Sequence, residues 1–501
     1  MSHIQLLYVE NVINRKKRVP RQELAFFMRV KDVSYDKQVD VVWSGEDGAW
    51  HSLPVHFHHG LHDDIECWQA RATFPLTAHQ ALPGNIRFSL RYRVHGDEFW
   101  DNNHGRNYES QADSGIQLGP NILIQNIDPQ RHLQEGQKSL PVTVVLDKSL
   151  HAEKVTIHWT VDNWQHTFKT ACHCKINYWD SKAKSNARNP NQYANQLWSG
   201  RLRIGAGFRL QYSICCEGRG QVLWDNNEGR NYVASHKPLT VMILNLHCYQ
   251  ESNQDHKFWQ IAKAIDEQEV DIACFQEVAE NWNDGQGDWH SNSANIINQR
   301  LRTPYHLYSD WSHLGFDKYR EGVAILSRFP LLNQEGRYVS DSDEIYSIHS
   351  RKVVMAQVKV PYMGWVNVFS AHLSWWEDGF RQQFQRLCDW ANSKAGKRIK
   401  STLLCGDFNI AAGSEGYQLV VKGHQYEDQY LQANQRGLFE KIFRVDDAHW
   451  GDYLADDYRI DYIFLNRDSH LQVTSAKVLF TEQDYGPVSD HCGYVMTFEP
   501  K

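Results

Sequence analysis

Nowhere does the chain carry an apolar run of membrane-crossing length, roughly 20 residues, and this excludes an ordinary spanning helix. The first twenty residues, MSHIQLLYVENVINRKKRVP, lack the order of a secretory leader. Their short apolar stretch precedes the basic one, and no small-residue cleavage site follows. Excess basic charge is missing too. With 53 Lys and Arg against 60 Asp and Glu, the formal net charge is −7. That argues against tight nucleic-acid binding, which needs a basic face for phosphates. One basic cluster, KAGKRIK (394–400), has the form of a solvated helix end stopped at Gly396. Cysteine is not arranged for zinc. Ten are present, but Cys172-His173-Cys174 has no second pair at zinc spacing. Reduced, mostly buried thiols in a cytoplasmic protein are expected.

What the chain does have is length for about three domains, 18 tryptophans and an internal repeat. FWDNNHGRNYES (99–110) returns as LWDNNEGRNYVAS (223–235), and VDVVWSGEDGAW (39–50) matches VTIHWTVDNW (155–164). Each copy is a series of short alternating segments broken by Gly, Asn, Asp and Pro, the pattern of a small β-sandwich. Copy one occupies 1–112 and copy two 113–236, joined by a turn-rich connector, QADSGIQLGP (111–120). A polar insertion in copy two, 181–196, reads as an exposed loop. Most tryptophans, Trp100 and Trp224 among them, are expected in sandwich cores.

The WDNN-x-G-x-NY string resembles the signature of the family-21 carbohydrate-binding modules, which bind starch and glycogen. That resemblance implies glycan contacts from Asn102, Asn103, Asn107 and Tyr108 in copy one. In copy two it implies Asn226, Asn227, Asn231 and Tyr232, with Trp50 and Trp164 as stacking platforms. The chemistry suits the ligand: amides donate and accept together, matching paired hydroxyls, and an aromatic face covers the apolar face of a pyranose. Asn-Asn-x-Gly is also good turn chemistry, yet a turn alone does not explain retention of the whole string, aromatic end included.

From residue 237 the pattern changes to alternating strands and helices, the rhythm of a layered α/β domain. Its motifs come in order: LNLH (244–247), FQEV (275–278), EGVAILSR (321–328), SAHL (370–373), LLCGDFN (403–409), YRIDYIFLN (458–466) and SDH (489–491). In LLCGDFN, an apolar strand delivers Asp407 and Asn409 two apart, with Phe408 turned to the core. The series resembles the endonuclease/exonuclease/phosphatase superfamily, the fold of DNase I. The resemblance implies a four-layer α/β sandwich over 237–501 that hydrolyses phosphoesters with a divalent cation, Mg2+ with Mn2+ as the alternative. Glu277 is then the principal metal carboxylate, with Asn245 supplying an amide oxygen and Asp490 a second carboxylate. Asp407 orients or deprotonates water, and Asn409 holds that water or a phosphate oxygen. His491 is paired with Asp461 and His372 with Glu321. Arg328 and Arg459 are phosphate contacts or core ion pairs, and Trp375 and Trp376 form an apolar wall or are packing residues.

Joined together, these halves imply a metal-dependent phosphoesterase addressed to an α-glucan such as glycogen. Two alternatives stay open. One is a nuclease, with nucleic acid as substrate and the modules as a non-catalytic address. The other is a catalytically silent glycan-binding scaffold.

Overall fold

The computed structural model describes residues 2–15, 19–62, 64–175, 192–283, 285–423, 426–435 and 459–501. It divides into two compact units, 1–236 and 237–501. No helix among the described residues is long and apolar enough to cross a membrane.

The first unit holds two β-sandwiches. In the first, one sheet runs Gly115–Leu118, Ile4–Asn14, Arg21–Lys31, Ile65–Pro75, His56–His62. The facing sheet runs Trp50–Pro54, Lys37–Ser44, Ile86–Val94, Asp97–Asp101, with Tyr108–Ser110 also on Ile86–Val94. Alternate residues of the two sheets, such as Phe26, Met28, Val41, Phe88 and Leu90, meet in a buried core. The second copy repeats the plan around Val144, Ile157, Trp159, Tyr212 and Ile214.

Two expectations are corrected here. Residues 111–120 are not only a connector: Gly115–Leu118 is a strand paired with Ile4–Asn14 in the register Glu10↔Ile116, so the first sandwich extends past residue 112. The cause is Ile116, an apolar residue between polar neighbours, which is fully buried. Moreover, Trp100 and Trp224 are not core residues but 41% and 51% exposed. In copy one it is Phe99 that packs against the core, and a one-residue difference in phase sends the next side chain to the opposite face. The two copies also pack on one another. Leu7, Tyr8, Phe27 and Ile116 share an apolar cluster with Ile127, Val145 and Leu197 of the second sandwich. The polar insertion lies, through residue 191, outside the described residues.

The second unit is a four-layer α/β sandwich. One six-stranded sheet runs His306–Gly315, Tyr319–Ser327, Ile272–Asn281, Leu239–Asn245, Gly493–Pro500, Leu471–Leu479. The other runs Leu331–Tyr338, Lys352–Val360, Gly364–His372, Ile399–Asp407, Asp461–Asn466, Tyr426–Asp428. Leu239–Asn245 is buried at every position, because one face meets helices and the other the second sheet; hence the apolar run from Val241 to Leu244. Helix Gln254–Glu267 lays Phe258, Ile261, Ala262 and Ile265 on the first sheet, and helix Phe380–Ser393 lays Phe380, Phe384, Leu387 and Trp390 on the second. Between the sheets, Gln276 Nε2 donates to Ser370 Oγ (3.1 Å), which donates to the Phe275 carbonyl (3.2 Å).

Parallel pairing positions the site. Leu239–Asn245 and Ile272–Asn281 run parallel, as do Gly364–His372 and Ile399–Asp407. In the second sheet the C-terminal ends, His372 and Asp407, therefore lie side by side, and in the first the end of Leu239–Asn245 lies beside Gln276, next to the bulge that carries Glu277. Register then aligns His372, Asp407 and Asp461 across three strands. Gly406 permits this close approach. Its φ is +138°, and a Cβ there would sit 2.0 Å from the Ala371 carbonyl oxygen.

Candidate active site

Asp407 is the hub. It ends its strand, is buried, and accepts from the Asn245 amide through Oδ2 (3.0 Å) and from the Asn409 backbone N–H through Oδ1 (2.9 Å). His372 Nε2 and His491 Nε2 each lie 3.8 Å from Oδ2. Burial first, then the neighbouring charge of Asp461, pushes the Asp407 carboxyl up to about 7. Phe408 turns into the core. Asn409 follows with φ 50°, so it leaves the strand rather than continuing its alternation. Its amide nitrogen is committed to the Leu373 carbonyl (2.8 Å).

His491 and Asp461 are hydrogen-bond partners. Nδ1 stands 2.8 Å from Asp461 Oδ2, which fixes that nitrogen as the N–H and leaves Nε2 facing Asn245 and Asp407. Burial alone would lower the imidazolium, but Asp461, Asp407 and Asp490 together raise it well above the usual histidine range.

The proposed His372–Glu321 pair is not formed. Glu321 Oε1 lies 3.4 Å from His313 Nε2, while His372 Nδ1 has Arg351 Nη1 at 3.3 Å. The reason lies in pairing: residues 321 and 313 are opposite each other across a β-bulge in one sheet, and His372 belongs to the other. Buried, and then beside Arg351, His372 is held well below the usual histidine range and is neutral.

Glu277 projects from a second bulge, between Phe275 and Val278, with φ 47°. Asn245 Nδ2 donates to it (2.9 Å) as well as to Asp407, whereas Asn245 Oδ1 accepts from the His247 N–H (3.0 Å). As placed, this amide bridges two carboxylates through its nitrogen. Burial, followed by the charge of Glu321, pushes Glu277 up to about 7. Asp490 Oδ1 lies 3.6 Å from His247 Nδ1, which holds Glu251 Oε1 at 2.7 Å.

The donor set is mainly oxygen, and its carboxylates raise one another's proton affinity. One buried carboxylate oxygen, Asp461 Oδ1, has no hydrogen-bond partner among the described residues. Surplus buried negative charge on hard donors fits a divalent cation.

Sequence reasoning missed Arg351, His313, His247 and Glu251. His247 stood inside LNLH, so its signal was available; the others come from segments without a motif. Arg459 holds buried Asp428 (3.0 Å) and Arg328 lies 3.3 Å from Asp271, so both are structural ion pairs. Trp376 packs on the core beneath, 6.1 Å from the Phe380 ring.

The repeat loops are built alike. Asn103 Nδ2 donates to the Asn107 carbonyl and Asn227 Nδ2 to that of Asn231, each at 3.0 Å. Asn102 Oδ1 and Asn226 Oδ1 accept from Gly105 and Gly229, each at 2.9 Å. Tyr108 and Tyr232 are 5% and 8% exposed, and their hydroxyls donate to Asp101 (2.6 Å) and Asp225 (2.8 Å). These tyrosines anchor the loops instead of presenting a face to a sugar. Exposed aromatic faces on the modules include Trp50, Trp100 and Trp224, besides Tyr35, Phe57 and Phe168. Trp164 is half-buried and donates to Gln211 Oε1 (2.6 Å).

The strand ends bearing Asn245 and Asp407, the bulge bearing Glu277 and the Asp461-held His491 thus converge on one point, and the loops of the two copies are built alike. Residues 242–491 match the Endonuclease/Exonuclease/phosphatase family, and residues 3–111 and 126–235 each match the Carbohydrate/starch-binding module, family 21. The chain thus carries an endonuclease/exonuclease/phosphatase domain preceded by two family-21 modules. It is 41% identical over 83 residues to protein phosphatase 1 regulatory subunit 3E of Mus musculus, covering 16% of this chain and 28% of that protein. Among solved structures, an endonuclease/exonuclease/phosphatase family protein from Leptotrichia buccalis C-1013-b is 26% identical, covering 52% of this chain and 99% of its own, at TM-score 0.45. The human Nocturnin catalytic domain with bound sulfate is 20% identical, covering 53% of this chain and 94% of its own, at TM-score 0.40.

Proposed function

We propose that this protein is a divalent-metal-dependent phosphoesterase held on an α-glucan such as glycogen by its tandem modules. The observation that carries the reading is the Asp407–His491–Asp461 arrangement, with Asn245 at the end of its strand and Glu277 on the bulge of the adjoining one set against it. The family match supports the reaction class and the two module matches support the address.

In this reading Glu277 and Asp490 hold the cation. When bound, the cation neutralises charge on the phosphoryl group and stabilises the leaving oxygen. Asp407 orients the attacking water and takes its proton; a buried carboxyl near 7 suits that task at neutral pH. His491, kept protonated by Asp461, donates from Nε2 to a non-bridging phosphoryl oxygen. His372, neutral, donates a hydrogen bond without adding charge, and Arg351 beside it attracts the phosphate. Asn245 keeps Glu277 and Asp407 from drifting apart, and Asn409 holds Asp407 through its backbone N–H.

The test is Mg2+-dependent turnover by purified protein against the Asp407→Ala variant, with glycogen co-sedimentation in parallel. Metal-dependent turnover that disappears in the variant while glycogen binding persists supports the reading. Equal turnover by both proteins overturns the catalytic assignment. Loss of Trp50, Asn103, Trp164 and Asn227 without loss of co-sedimentation overturns the module assignment.

A further inference from the structure

Where the two sandwiches meet, the structure leaves a cavity of about 180 Å³. That is more than ten times the ~10–15 Å³ of such space that holds one water, room for a hexose unit. Its walls come from both copies: Phe27, His59 and Leu61 from the first, Ile124 and Asn227 from the second. A wider groove of about 570 Å³ lies along the first copy's loop, lined by Trp100, Asn102 and Asn103. Arg29 borders both spaces. It also ties the copies together, with Nη2 2.5 Å from Glu228 Oε1 in the second copy's loop.

The cavity has polar groups awaiting a partner. His59, 6% exposed, has no hydrogen bond to Nδ1 among the described residues; His58 beside it has none to Nε2, which has Asp128 Oδ1 as a charged neighbour at 3.9 Å. Burial holds His59 neutral, pulling it down to about 3, and lowers His58 as well. A neutral imidazole donates from one nitrogen and accepts at the other, as a sugar hydroxyl does. Arg29 is already balanced by Glu228, so the mouth selects for a neutral ligand rather than an anion. Apolar walls at Phe27, Leu61 and Ile124 suit the C–H face of a pyranose.

We propose that this junction cavity is a sugar subsite that joins the two Asn-rich loops into one track, so that a single α-glucan strand is read by both modules at once. The inference rests on the glycan-binding reading above and adds the geometry of the bound strand. A rigid module pair, held by the shared apolar cluster and the Arg29–Glu228 bridge, engages consecutive glucose units without the linker cost of two free domains.

The experiment is calorimetric titration of the full chain with maltotriose, maltoheptaose and maltodecaose. It is repeated on Arg29→Ala, which breaks the bridge, and Leu61→Trp, which fills the cavity. The expected result is one maltodecaose per chain and a Kd at least about tenfold below that for maltotriose. Both variants should lose that length gain while retaining maltotriose binding and a near-parental thermal midpoint. Two maltodecaose molecules per chain, or an undiminished gain in both variants, would overturn the bridging track and leave the glycan reading standing. Absence of binding to every oligomer, together with absence of glycogen co-sedimentation, would bring down the glycan reading itself.

Discussion

At the scale of single residues, the chemistry turns on how burial and neighbouring charge divide the protons. Asp407 and Glu277 are each pushed up to about 7, first by burial and then by another carboxylate, and His491 is raised by three aspartates. Asp407→Ala or His491→Ala should lower kcat by roughly 10²–10⁴-fold, the scale of acid–base groups, with unfolding midpoints near the parent. Asp461→Asn removes the main attraction that keeps His491 protonated. The alkaline limb of its pH–rate profile should therefore move to lower pH, which steady-state assays across pH 5–9 would reveal. Linkage gives a further sign. A carboxyl whose folded pKa is raised binds more protons folded than unfolded, so its contribution is full below the unfolded value near 4 and lost as pH rises through 7. Metal-free protein should accordingly lose stability between pH 5 and 8, more steeply than Asp407→Asn does. Added Mg2+ should raise the thermal midpoint more at pH 8 than at pH 6, since protons and the cation compete for the same oxygens.

At the scale of elements, the site depends on two strand ends lying unusually close. Gly406→Ala places a Cβ against the Ala371 carbonyl in a backbone conformation that L-residues avoid. A loss of about 1–3 kcal/mol or more is expected in chemical denaturation. Exposed aromatic residues on edge strands predict the opposite pattern. Trp224→Ala should weaken glycogen co-sedimentation while changing stability by no more than about 0.5 kcal/mol, whereas buried Trp159→Ala should cost about 3–5 kcal/mol. These elements also mark what was legible in the sequence. The GDFN turn, the SDH and RIDY motifs and the WDNN loops hold their polar residues at contiguous positions, so their grouping was legible from spacing. The Glu321–His313 contact was hidden, because it depends on a β-bulge register that no short string encodes. Arg351 was hidden for a related reason: it reaches His372 from the residue before the next strand. Trp100 was misplaced because a period-two pattern fixes alternation but not which phase faces inward.

At the scale of the whole molecule, two family-21 modules and an endonuclease/exonuclease/phosphatase domain share one chain. Combined loss of Trp50, Asn103, Trp164 and Asn227 should abolish co-sedimentation with glycogen yet leave turnover of a small soluble ester unchanged. A fall in both would mean that the modules shape the catalytic centre. The central claim is that the convergent strand ends form a working phosphoesterase. It is tested most directly by a Mg2+-dependent activity panel of nucleic acids, inositol phosphates, sphingomyelin, phosphorylated glycogen and a chromogenic diester, each run against Asp407→Ala. The account predicts metal-dependent cleavage of at least one phosphoester by the parent, abolished by chelation and by the substitution. Silence across the panel with glycogen binding intact would contradict it and leave a glycan-binding scaffold.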